Sequence, residues 1–178
     1  MFSENDSDVK IYGESRPNDT DNNLTAGEGK SVTKESRCAA KKIGICVAQQ
    51  LLKDAADYTG GENSDYELII QRRLLLSFSA TAGFEQYIGD DTLIGIAQKS
   101  FLDAIKKESN EIYKTCSDMG AFSFYYLAFR RGSDIERRMG QTFAMLCSHD
   151  GDPIFQELGE ALYCWFTSVV RKAVKEYL

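Results

Sequence analysis

The sequence predicts an all-α protein, an antiparallel bundle of five or six helices preceded by a disordered N-terminal arm. Three observations carry that prediction. From residue 34 onward, apolar side chains recur every three or four positions, the spacing that lays them along one stripe of a helix. No window sustains the period-two alternation of a half-buried strand bounded by Asn-Gly or Asp-Gly turns. Only two prolines, Pro17 and Pro153, occur in 178 residues, fewer than the many turns of a β-sandwich or barrel usually hold.

Residues 1–33 read as the arm. They carry seven acidic side chains against three basic ones, and their larger apolar residues (Phe2, Val9, Ile11, Tyr12, Leu24 and Val32) are isolated or, at most, paired. Such a segment buries too little surface to offset the entropy of ordering. Ile11-Tyr12 offers a small apolar contact to a partner; a solvated tail is the plainer reading. Residues 34–178 then form a single helical domain.

The first helix is expected over Lys34–Tyr58, with Ala39, Ile43, Cys46, Val47, Leu51, Ala55 and Tyr58 on one stripe and Gly60-Gly61 ending it. Ser64 and Glu67 have the spacing of a capping box, which starts a second helix over Asp65–Ile88. That helix is apolar nearly all round, so it is predicted to be central. After Gly89, a third helix spans Thr92–Ser117, with a kink expected in the polar interval Lys106–Asn110. A fourth, Asp118–Arg131, is dense in aromatics: Phe122, Phe124, Tyr125, Tyr126 and Phe129. Gly132 stops it, and Ser133 with Glu136 repeats the capping box for a fifth helix reaching Cys147. His149-Asp150-Gly151 is a turn. Asp152 then caps the last helix, and Pro153 takes its first position, where a fixed φ is favourable. Five mid-helix glycines (Gly44, Gly83, Gly95, Gly140 and Gly159) each weaken a helix by roughly 1 kcal/mol relative to alanine. Their number predicts close helix–helix approach.

Charge and cysteine content narrow the function. Outside the arm the chain holds 18 basic and 20 acidic groups. Nucleic-acid affinity rests on a basic surface that displaces counterions, so this composition argues against it. No apolar run approaches the roughly 18 residues of a membrane span. Five scattered cysteines without a C-x-x-C pair, behind an N-terminus with neither a basic nor an apolar signal region, suggest a reducing cytoplasm.

Several motifs stop short of chemistry. Gly29-Lys30-Ser31 resembles the end of a phosphate loop, but that loop needs a glycine where Leu24 stands and a buried strand upstream. The single histidine excludes Glu-x-x-His di-iron bundles and H-E-x-x-H zinc sites. Cys147, His149, Asp150 and Asp152 lack both structural-zinc and EF-hand spacing, so no metal or other cofactor is assigned. Cys147 with His149 lacks the orienting group that nucleophilic catalysis requires, and a buried cysteine at a helix end is the plainer reading.

Two features remain. The arginine pairs Arg130-Arg131 and Arg137-Arg138 bracket the turn Gly132-Ser133, beside a helix N-terminus able to receive an anion. The rings of Phe124, Tyr125 and Tyr126 span too wide an arc for one helix face to hide. The expectation is therefore a non-catalytic cytoplasmic interaction module, self-associating through aromatic-rich helices, that contacts a protein partner or itself but neither nucleic acid nor membrane. The alternative is a protein or enzyme binding a small, possibly anionic, ligand. Tyr125, Tyr126 and Trp165 would then line a pocket inside the bundle, with Arg130, Arg137 and Arg138 holding the anion.

Overall fold

The computed structural model describes residues 32–58 and 66–178. Within them the chain forms seven helices and no strand: α1 (Lys34–Asp57), α2 (Tyr66–Tyr87), α3 (Asp91–Glu108), α4 (Asn110–Cys116), α5 (Met119–Arg130), α6 (Ile135–Leu146) and α7 (Pro153–Tyr177). The expected arm, apart from Val32 and Thr33, lies outside the described residues. So do the Gly60-Gly61 stop and the Ser64 half of the first capping box. Thr33 caps α1, its hydroxyl oxygen accepting from the Ser36 amide at 3.1 Å.

As the all-round apolar pattern predicted, α2 is central. Leu74, Leu75, Leu76, Phe78, Ala80, Ala82 and Phe84 are all buried, and α2 touches every other described helix. Ser77 and Ser79 are buried there without cost, because each hydroxyl donates to a backbone carbonyl, that of Cys116 or of Leu75. At the other end of α2, Arg72 donates twice to Asp54 of α1 (Nε–Oδ2 2.9 Å, Nη2–Oδ1 2.6 Å) while its guanidinium lies 4.7 Å from the Tyr58 ring centre. This fork joins the ends of the first two helices.

Four of the five mid-helix glycines sit where helices touch. A Cβ on Gly44 would collide with the Ala97 carbonyl oxygen of α3, and one on Gly140 with the Gln156 carbonyl of α7. Gly83 faces Val170, and Gly159 faces the Phe143 ring. Gly95 has open space around it.

Two local expectations are corrected. The single helix expected over Thr92–Ser117 is two helices, which raises the total to seven. Ser109 is extended (φ −150°, ψ 113°): its amide ends α3 by donating to Ile105, and its hydroxyl starts α4 by accepting from Ile112. The capping box at Ser133 does not form. Gly132 (φ 80°) and Asp134 (φ 51°) both adopt left-handed backbone, so α6 begins one residue late, and the Ser133 hydroxyl accepts from Arg138 Nη2 at 3.1 Å. α6 runs to Leu146 with Cys147 as its C-cap, within a residue of the expected end. Ser148 has φ 61°, its amide donates to Met145, and the next amide, of His149, reaches back to Ala144. That pair of bonds is a Schellman ending, with serine where glycine is usual. Asp152 caps α7 as predicted, accepting from the Ile154 amide at 2.9 Å.

Candidate functional site

The aromatic helix α5 divides its side chains among three directions. Tyr125 and Ala128 point into the core, and Phe122 joins them where it packs edge-on against Phe78, ring centres 5.9 Å apart. Phe124 and Leu127, three residues apart and so on one side of the helix, are 50% and 60% exposed. Phe122, Tyr126 and Arg130 are spaced by four and form a further stripe. That stripe borders a groove.

The groove has a volume of about 780 Å³ and lies between α2, α3, α5 and the end of α4. Phe78, Phe101, Leu102, Phe122 and Tyr126 make it apolar, and Cys116 lies at its edge. Among the described residues two charged side chains border it, Glu85 and Arg130. The Arg130 guanidinium carbon lies 5.2 Å from the Tyr126 ring centre, and the guanidinium makes no hydrogen bond or ion pair among the described residues. Stacking on the ring therefore holds the cation at the wall while leaving its donors free.

Burial pushes the Cys116 thiol up to about 11, more than the Ser77 hydroxyl and the Arg73 charge lower it, so the thiolate is scarce at neutral pH. The hydroxyls of Ser77, Ser117 and Ser123 on the same wall each donate to a backbone carbonyl. The one histidine is elsewhere, on the α6–α7 turn, where its ring stacks on Phe155 with centres 3.7 Å apart. Among the described residues, no group of three or more His, Cys, Asp or Glu side chains is placed to hold a metal.

Of the six residues assigned to a ligand from sequence, two meet at the groove, Tyr126 and Arg130. Tyr125 is fully buried beside Phe78, its hydroxyl has no hydrogen-bond partner, and burial raises its pKa well above the ordinary phenol value. Arg137 is exposed on α6. Arg138 turns back toward Ser133, with its Nη1 buried and unpartnered. Trp165 is 41% exposed on α7, against Phe166 rather than the groove. The expected pocket inside the bundle is thus an open groove on its side. Sequence reasoning missed Phe78 and Phe101, which read as core, and Leu102, which it did not single out. The available signal was the four-residue spacing that runs from two aromatics into an arginine.

No protein-family model, curated protein or solved structure matches this chain. No described helix is long and apolar enough to cross a membrane.

Proposed function

We propose that this chain is a non-catalytic protein-interaction module that self-associates through the outward face of α5. The observation that supports this reading is the exposure of Phe124 and Leu127 side by side on a helix whose inward face is already satisfied by Tyr125 and Ala128. Large apolar side chains clustered on an outer surface mark a contact site. A twofold arrangement suits them. Two antiparallel α5 helices set Phe124 of one copy against Leu127 of the other, and the exposed Arg131 of each falls at opposite ends rather than face to face. None of the five cysteines forms a disulfide, which accords with a reducing compartment.

Phe124→Asp tests the reading. It places a charge in the contact without disturbing the core, since half of the ring is already in water. Sedimentation velocity should show dimerisation weakened by about tenfold or more, from the lost apolar burial and the charge that replaces it. A variant that associates as the native chain does would overturn this assignment.

A further inference from the structure

We propose that the groove bordered by α2, α3, α4 and α5 binds a single-chain amphiphilic carboxylate, a fatty-acid-like molecule. Its hydrocarbon tail lies along Phe78, Phe101, Leu102 and Phe122, and its carboxylate meets Arg130. Three observations converge on this chemistry. The volume of about 780 Å³ lies within the range of small-ligand sites, and the groove is open along its side, which suits an elongated molecule. Its wall is mostly aromatic and aliphatic, so burying a chain there removes apolar surface from water on both partners. The charge at the wall is a guanidinium with no partner, already oriented by Tyr126. A planar fork held in place matches a carboxylate in two parallel hydrogen bonds and loses little freedom on binding.

Glu85 is the other charged group, and it fixes the sign of the prediction. Both side chains are exposed, but only Arg130 is held by an aromatic ring; a cationic head would need Glu85, which no ring orients, as its anchor. A carboxylate head uses the oriented group. This inference draws on Phe122, Tyr126 and Arg130, whereas self-association centres on Phe124, which does not line the groove; Leu127 borders both surfaces. Arg130→Gln and Phe124→Asp therefore separate the two.

Titration calorimetry with dodecanoate, dodecylammonium, dodecanol and acetate, each below its micellar concentration, tests the site. The native chain should bind dodecanoate at one saturable site per chain and more tightly than dodecylammonium, while acetate alone should give no measurable binding. Arg130→Gln should weaken dodecanoate by about tenfold, the worth of a charge-assisted hydrogen bond, and leave dodecanol unchanged. Leu102→Trp, which fills the groove, should weaken both. Glu85→Gln should strengthen dodecanoate about twofold by removing a like charge, an effect of a few tenths of a kcal/mol for exposed groups. Because Arg130 makes no hydrogen bond, Arg130→Gln should keep the native melting curve. Phe124→Asp should keep its dodecanoate affinity even where association is lost. Absence of saturable dodecanoate binding, tighter binding of dodecylammonium, or native affinity in Arg130→Gln would each overturn the proposal.

Discussion

Gly44→Ala and Gly95→Ala are the same chemical change in the middle of a helix, and the structure assigns them opposite signs. By propensity alone each should gain roughly 1 kcal/mol, because alanine is the better helix former. At Gly95 nothing lies within 4 Å of the added methyl, so the gain of about 0.5–1 kcal/mol should be realised. At Gly44 the new Cβ would overlap the Ala97 carbonyl oxygen and lie 2.9 Å from the Phe101 amide nitrogen. Both obstacles are α3 backbone and cannot rotate aside, so α1 must move away. That movement loosens Ile43 and Val47 of α1, as well as Ala97 and Phe101 of α3, all of them buried. Overpacking of this kind costs about 1–3 kcal/mol, and the steric obstacle here is rigid, so a net loss near 2 kcal/mol is expected after the propensity gain. Guanidinium denaturation followed by helical circular dichroism measures both variants. A loss of 2 kcal/mol should lower the melting temperature by about 4–8 °C in a chain of this size. Equal stability of the two variants, or a more stable Gly44→Ala, would refute the close α1–α3 approach.

Three further outcomes follow from individual atoms. Tyr125→Phe removes a buried hydroxyl that has no partner, so stability should hold or rise by about 1 kcal/mol; a loss beyond 1 kcal/mol would mean that the hydroxyl is bonded after all. Ser148→Gly relieves left-handed backbone at the end of α6 and should stabilise by about 0.5–1 kcal/mol, read from the denaturation midpoint; destabilisation would contradict the Schellman ending. Raising the pH should destabilise the fold through Cys116. The folded thiol titrates at about 11 and the unfolded one at 9.0, so the unfolded state releases its proton first. Stability is then complete below pH 9 and falls by about 2–3 kcal/mol as pH rises to 11. Denaturation of the native chain and of Cys116→Ala at about pH 8 and pH 11 checks this; equal pH dependence in the two would reject the assignment.

The sequence displayed those features that rest on long-range repetition. The buried all-round pattern of α2 and the glycines at helix contacts were legible because packing requires them over many residues. Junctions were less legible, since one residue decides each. Ser109 serves two helices at once; the polar interval Lys106–Asn110 marked its place as a kink, but not that one helix ends there and another begins. Ser133 had the right partner at the right spacing, but two left-handed residues moved the helix start past it. At the site, spacing revealed that the α5 rings point several ways, while the four-residue step from Tyr126 to Arg130, both of which line the groove, went unused. It gave no means of separating groove from core, because Phe78 and Phe101 look like core in sequence and serve both roles. Trp165 was grouped with them by residue type, Arg137 and Arg138 by their place across the Gly132-Ser133 turn, and the fold places all three on other helices.

Light scattering of the native chain over a concentration series tests the central claim, that α5 presents a self-complementary apolar face. The mass should rise from 19.9 kDa toward twice that value as concentration increases. A mass fixed at 19.9 kDa throughout would contradict it.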